Sequence, residues 1–442
     1  MPAVSTVIAR VLACRGVVND GFVEHVTCLG CGCACDDVAL RLSAGRIVEA
    51  GNACELGATW FGDGVVPALT CVDGHDVPRE EALDRAAALM AGAVRPLVYL
   101  APDISSDAQR EAIALADTLH AVVDSVTSAT ALPFVLAAQE RGQAGATLGE
   151  VRNRADVVVF WGVDSGGRYP RFHARYAPDA VGLHVPLGRR SRRVVAIDVG
   201  QARGPADADL RLSMSPADEV ATLTRLASAT GLSNDLHAVA TVLREGRYVA
   251  VVADAEPDQN EPRDPGRAAA LLALTQALNG STRCALILLR AGGNRCGADA
   301  ALTAQTGYPL AVDFTRGYPR YRPHDGTATL RLDAGEVDAV LVVGAVAKVP
   351  ADVRASIERV PGVVIGPLAS SSARAGRGVA IDTGVPGIHE RGGALRMDDV
   401  PLPLRAVVSG PPGTAETVRD LGQRLQHAAP RPLADGRAMV DG

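Results

Sequence analysis

A chain of 442 residues, 48% hydrophobic and 21% charged, has the apolar content for a large buried core in two or three domains and does not have the composition of a disordered protein. Its formal net charge of −6 gives no electrostatic reason to bind nucleic acid. No run approaches the roughly 18 apolar residues of a membrane span, and residues 2–14 lack the charged start and apolar middle of a secretory leader. A cytoplasmic setting with reduced cysteines is therefore expected.

The first chemistry-bearing segment is Cys28-Leu-Gly-Cys-Gly-Cys-Ala-Cys-Asp-Asp37, followed by Cys54 one hairpin later. Cys28, Cys31 and Cys35 have the C-x2-C-x3-C spacing, and Cys54 supplies a fourth thiol. Thiolates are soft ligands, and a cubane iron–sulfur cluster takes four of them from a tight loop. Gly30, Gly32 and Ala34 are small enough for the backbone to fold around such a group. Three readings stay open: a [4Fe-4S] site, a zinc site, or a relic with free thiols. Zinc prefers paired C-x2-C units with a longer gap between them. Cys33 is expected to be a bystander. Cys14, Cys71, Cys284 and Cys296 are scattered, and each is expected to be a small buried hydrophobe.

The segments Val38–Leu42 and Arg46–Ala50 alternate around a Ser-Ala-Gly turn and predict a β-hairpin. From residue 79 the rhythm changes to helices alternating with apolar strands. A helix is expected after Pro78, with acids in its first turn, and another over 107–120. Strands are expected at 96–101, 121–124, 156–162, 193–198, 248–253, 284–289, 337–343 and 363–365. Helices at 216–230, 266–278 and 350–358 separate several of them. Continuous apolar strands between helices mean parallel sheets covered on both faces. Arg189-Arg-Ser-Arg-Arg193 is the one basic cluster. It reads as a solvated strand start, with a phosphate or an acidic partner surface as the alternative.

In such sheets ligands bind beyond the carboxyl ends of strands. That singles out the loops at 162–167, 290–294, 313–320 and 344–347, whose glycines would let a backbone approach a phosphate.

Several long strings are distinctive: Cys28–Asp37, Leu148-Gly-Glu-Val-Arg-Asn-Arg-Ala-Asp156, Phe160-Trp-Gly162, Tyr169-Pro-Arg-Phe-His173, Gln305-Thr-Gly-Tyr-Pro309, Asp313-Phe-Thr-Arg-Gly-Tyr-Pro-Arg-Tyr321 and Gly384-Val-Pro-Gly-Ile388. With them the chain resembles the B-subunit family of formylmethanofuran dehydrogenase, within the molybdopterin oxidoreductases. The resemblance implies an α/β, molybdopterin-oxidoreductase-like fold. A β-rich cysteine-cluster domain (1–77) would precede two interleaved Rossmann-like domains, one over 78–125 and 246–405, the other inserted at 126–245. A C-terminal helix and tail (406–442) would follow.

The resemblance also implies a tungsten or molybdenum ion held by two pterin dithiolenes and a protein cysteine, with a neighbouring histidine and arginine. Gly162, Gly292, Gly293, Asn294 and Arg316 would face the pterin if it is bound. Here the family pattern breaks. On the matching register Thr130 replaces the metal-ligating cysteine and Ala131 the histidine, and only Arg316 is a candidate remnant. No cysteine lies between Cys71 and Cys284. The resemblance therefore points to a redox-silent relative, like the corresponding subunit of the bacterial formyltransferase/hydrolase complex. That complex serves tetrahydromethanopterin-linked one-carbon metabolism, and its hydrolase subunit would be the main partner. A working dehydrogenase subunit that interconverts CO2 and formyl-methanofuran is the alternative, and a pure electron-transfer module the third.

Overall fold

The computed structural model describes residues 20–257, 261, 263–372 and 377–427. Residues 2–14, including Cys14, and the tail from about 428 lie outside them.

Two sheets organise the chain. The larger has nine strands, in the order 320–321, 312–313, 122–125, 96–100, 339–343, 362–366, 379–382, 70–72 and 75–76. Its five central strands run parallel, and the two at each edge are antiparallel. The central strands Pro96–Leu100, Ala339–Val343 and Gly362–Gly366 are buried at every position. That is why they read as unbroken apolar runs. Leu83, Ala86 and Met90 from the helix Arg79–Gly92, Ala112 and Leu115 from Ser106–Thr118, and Val418 and Leu421 from Thr414–His427 cover one face. Leu332, Val353 and Ile357 cover the other.

The smaller sheet has five parallel strands, in the order 210–214, 193–199, 157–161, 248–254 and 283–289. This corrects the expected boundary at 245. The strands Tyr248–Asp254 and Arg283–Leu289 belong here, with the supposedly inserted unit, and this sheet continues to about residue 290. The pairing has a local cause. The Asp156 carboxylate accepts the backbone N–H groups of Arg247 (3.1 Å) and Tyr248 (2.8 Å), which sets the register of 248–254 beside 157–161. Likewise 70–72 and 75–76 leave the N-terminal unit and edge the large sheet. The expected hairpin forms, as Val38–Ser43 against Arg46–Gly51, with Gly21–Val26 as a third strand.

Side chains alternate between the faces of the small sheet. Val157, Val159 and Trp161 meet helices that include Leu132–Arg141 and Arg267–Leu278. Val158 and Phe160 face the opposite way, into a cluster that holds Cys28, Cys31, Cys33 and Cys35. The cysteine loop is therefore part of the core under this sheet. Among the described residues no helix is long and apolar enough to cross a membrane.

Candidate functional site

The cysteine loop is closed by backbone hydrogen bonds from Cys28 N–H to Cys35 C=O (2.9 Å) and from Ala34 N–H to Cys31 C=O (3.1 Å). Small residues are required where it packs. A Cβ on Gly32 would lie 2.1 Å from the Arg290 carbonyl oxygen, and one on Gly30 2.7 Å from that of Leu56. Cys28, Cys31, Cys35 and Cys54 line one small pocket with Val38, Asn52, Ala53, Gly57 and Arg171. All four thiols are free, and Cys54 is the least buried. Gly57 sits between two of them, since its Cβ would meet Cys28 Sγ at 3.3 Å and Cys54 Sγ at 3.9 Å. The Gly30 N–H donates to Cys28 Sγ at 3.3 Å.

Burial raises the Cys35 thiol above its ordinary value, against the opposing pull of the Arg175 and Arg171 guanidinium groups beside the loop. Arg171 grips the Asp37 carboxylate with two hydrogen bonds of 2.7 Å, and Arg175 reaches both Asp36 (2.7 Å) and Asp37. Burial pushes the Cys28 thiol up to about 12. The neighbouring Cys33 and the Arg171 guanidinium draw the Cys31 thiol down to about 7. Cys33, expected to be a bystander, is fully buried and does not line the pocket. Among the described residues no group of three or more His, Cys, Asp or Glu side chains forms a single-ion site. A ring of four thiols around a pocket suits a polynuclear cluster, whose thiolates bind separate irons, better than zinc, whose four ligands share one ion. The donor set fits a cubane.

The second site is a cavity of about 730 Å³ at the carboxyl end of the small sheet, walled by Phe134, Val135, Leu286, Leu288 and Met397. Ala131 lies on its wall, as do Arg290, Cys296 and Asp299. Arg290 belongs to the loop 290–294 singled out in the sequence, whereas Cys296 and Asp299 were not expected here. Arg290 is buried and fully committed. Its Nε donates to Glu256 (3.0 Å), and its terminal nitrogens donate to Asp299 (2.6 Å) and Thr127 Oγ1 (2.8 Å). Asp299 in turn accepts from Thr127 Oγ1 at 2.6 Å. Desolvation raises Asp299, whereas Arg290 and Arg295 together hold Glu256 below its ordinary value against the opposing effect of burial. Cys296 is buried as expected, but it also lines this cavity, 3.7 Å from Arg290. Burial pushes its thiol up to about 12, so it is protonated at neutral pH.

Thr130 Oγ1 donates to the Val126 carbonyl at 2.8 Å, one turn back in its own helix. None of Gly162, Gly292, Gly293, Asn294 and Arg316 lines the cavity. A Cβ on Gly292 would lie 2.5 Å from Gly30 O, and one on Gly293 2.3 Å from Pro102 O. Asn294 is fully buried and donates to Ile104 O and Ser106 Oγ (3.1 Å each) while accepting from Leu395 N–H (2.8 Å). Gly162 packs on Val199. Arg316 is exposed on its loop. The residues present do not fit a dithiolene-bound metal. On the register that the resemblance implies, the place of its thiolate ligand is taken by a self-bonded threonine, and among the described residues the cavity wall carries Glu150, Asp299, Asp398 and Asp399 against one cation, Arg290.

No family model matches the chain. Two curated proteins do. The B subunit of the tungsten-containing formylmethanofuran dehydrogenase 2 of Methanocaldococcus jannaschii is 30% identical over 416 residues, which is 88% of this chain and 95% of that protein. Its counterpart from Methanococcus maripaludis is 29% identical over 418 residues, with the same coverage. Among solved structures, a chain of the formyltransferase/hydrolase complex from Methylorubrum extorquens, crystallised with methylofuran, has the same fold. The TM-score is 0.68 at 22% identity, covering 81% of this chain and 99% of that one.

Proposed function

Because the chain belongs to the B-subunit family of formylmethanofuran dehydrogenase, we propose that it is a redox-silent member, a scaffold subunit of a formyltransferase/hydrolase complex in tetrahydromethanopterin-linked one-carbon metabolism. Its partners would be the other subunits of that complex, the hydrolase subunit foremost. The observation that carries this reading is the Thr130–Ala131 pair. Threonine has no thiolate to offer a sulfur-coordinated metal, and this one spends its proton on Val126 O. Alanine moves no proton. Arg290, the cation on the cavity wall, is already neutralised by Glu256 and Asp299, so it offers little to an incoming anion. The likeness in fold to a formyltransferase/hydrolase chain supports the same reading.

In this reading Cys28, Cys31, Cys35 and Cys54 hold a [4Fe-4S] cluster that serves as a structural staple, since metal binding contributes directly to folding free energy. The alternative, a working subunit that interconverts CO2 and formyl-methanofuran, is favoured by one observation: both curated relatives are tungsten-containing enzymes.

Elemental analysis of the complex purified without oxygen separates the two. About four irons per chain with no tungsten or molybdenum is the expected result. Near-stoichiometric tungsten or molybdenum overturns the redox-silent reading and makes Thr130 a ligand candidate.

A further inference from the structure

Residues 177–192 form a surface loop that buries Val185 and turns three other aliphatics outward. Val181, Leu183 and Leu187 are 58%, 78% and 57% exposed. Three large aliphatics within seven residues is an unusual load for a solvated loop.

The loop is nevertheless held rigidly. Arg192 is buried beneath it and satisfies backbone carbonyls alone: Ala155 (3.0 Å), Pro178 (2.7 Å), Arg152 (2.6 Å) and Ala180. Asn153 Oδ1 accepts Leu183 N–H (3.1 Å), Arg152 Nε donates to Val181 O (3.1 Å), and Ser191 Oγ accepts Leu187 N–H (3.0 Å). A Cβ on Gly182 would lie 2.0 Å from Arg152 O, so the loop is pressed onto the helix Leu148–Arg154. Burying a guanidinium without a carboxylate is costly. Here that cost fixes the shape in which the aliphatics are displayed, and a pre-ordered surface loses less entropy when it binds.

Val181 and Leu183 form one rim of an open groove of about 510 Å³. Arg152, Arg175 and Arg396 line it with Tyr176. Arg175 and Arg396 each stack on the Tyr176 ring, with the guanidinium 5.5 Å from its centroid. Tyrosine and arginine are enriched in protein-interface hot spots. Of the groove arginines, Arg175 pairs with Asp36, which also lines the groove, and Arg396 with Asp398, whereas Arg152 meets no carboxylate among the described residues. Of the nine arginines in residues 148–193, five are in ion pairs (Arg154, Arg168, Arg171, Arg175 and Arg189) and Arg192 is buried, which leaves Arg152, Arg190 and Arg193 as the unpaired exposed cations among the described residues. Arg190 and Arg193, from the basic cluster noted in the sequence, are exposed beside the loop.

We infer that the loop 177–192 and the Arg152–Arg175–Arg396 groove are a docking surface for another protein subunit, which contributes a segment combining apolar side chains with aspartates or glutamates. Charge complementarity selects an acidic occupant, and the aliphatics supply the desolvated centre. The inference deepens the subunit reading above and rests on it.

The test uses the full-length chain expressed in its own cells, with the mass and stoichiometry of the assembly read by native mass spectrometry. The double variant Leu183→Asp/Leu187→Asp should keep the circular dichroism and melting temperature of the wild-type chain, because both side chains face solvent. Its incorporation into the assembly should fall by about tenfold or more, the scale of losing interface hot spots. Arg190→Glu should weaken incorporation in the same sense. Val94→Asp, at a 73% exposed position elsewhere, should assemble normally. Normal assembly of the double variant overturns the docking surface. So does equal loss with Val94→Asp. Normal assembly of Arg190→Glu overturns the acidic occupant. A wild-type chain found alone in its cells overturns the subunit reading, and this inference with it.

Discussion

His389 is held as a neutral imidazole. Its Nδ1 accepts the Val385 N–H at 3.1 Å, so the ring proton sits on Nε2, which donates to Gly64 O at 2.8 Å. Burial keeps its pKa below the ordinary histidine value. Between that folded value and about 6.5, the unfolded chain binds a proton that the folded chain refuses. Stability therefore falls as pH drops through this window, by at most about 1.4 kcal/mol per pH unit for one such group. Glutamine at 389 cannot titrate. His389→Gln should be less stable than wild type at pH 7.5 but flatter between pH 6.5 and 5.5 in urea-unfolding midpoints. His173, lowered by burial in the same direction, leaves a residual slope in both proteins. Parallel slopes in the two would refute the assignment. Residue chemistry of this kind is legible in a sequence only when it is local. The spacing of Cys28, Cys31 and Cys35 already predicts their convergence, because the loop that gathers them is eight residues long. The network of Thr127, Glu256, Arg290 and Asp299 was missed because it draws on three distant segments. One local signal existed. Cys296 and Asp299 are three apart on a helix, and so share the face that meets Arg290.

The helix Thr414–His427 shows how one acid organises an element. Its first backbone N–H groups would be orphaned inside the core. The buried Glu390 carboxylate takes two of them, Thr414 N–H at 3.0 Å and Ala415 N–H at 3.1 Å, while Ser105 Oγ donates to it at 3.3 Å. The helix packs on Ser106–Thr118 and Arg79–Gly92, so the cap ties the C-terminus to the large sheet. Glu390→Ala strands those donors and should cost about 1–3 kcal/mol. Hydrogen exchange at amides 414 and 415 should speed up well beyond that at Leu341 in the sheet centre. Glu390→Gln, which keeps an acceptor, should lie between. Unchanged exchange at 414 and 415 would show that the cap is idle. Elements like these were largely legible, since buried parallel strands read as apolar runs whatever their neighbours. Their partners were not. Nothing near Tyr248–Asp254 says which sheet it joins, and the carboxylate that receives its first N–H group, Asp156, lies more than ninety residues earlier.

At the scale of the molecule the cysteine loop works as a wedge. Its cysteines share one buried apolar cluster with Val158 and Phe160 of the small sheet. Its tip lies against Arg290, Gly292 and Gly293, where Gly293 N–H donates to Leu29 O at 2.9 Å. Met397 N–H donates to Gly32 O at 3.2 Å, and Arg171 and Arg175 clamp Asp36 and Asp37 from the outside. The loop 290–294 is itself anchored on the large sheet's side by Pro102 and Asn294. Whatever fixes the cysteine loop therefore fixes the seam between the sheets. A bound cluster would do this more firmly than four thiols, because ligand bonds replace packing contacts that burial alone supplies. Cys31→Ser, purified without oxygen, should lose iron. Amide exchange should rise at residues 28–35 and also at 290–294, while the strands at 339–343 and 362–366 stay protected. Loss confined to 28–35 would mean that the loop is a passenger on a seam held by Asn294. Full iron retention with wild-type exchange would remove the staple, and with it the reason for a redox-silent chain to keep all four cysteines.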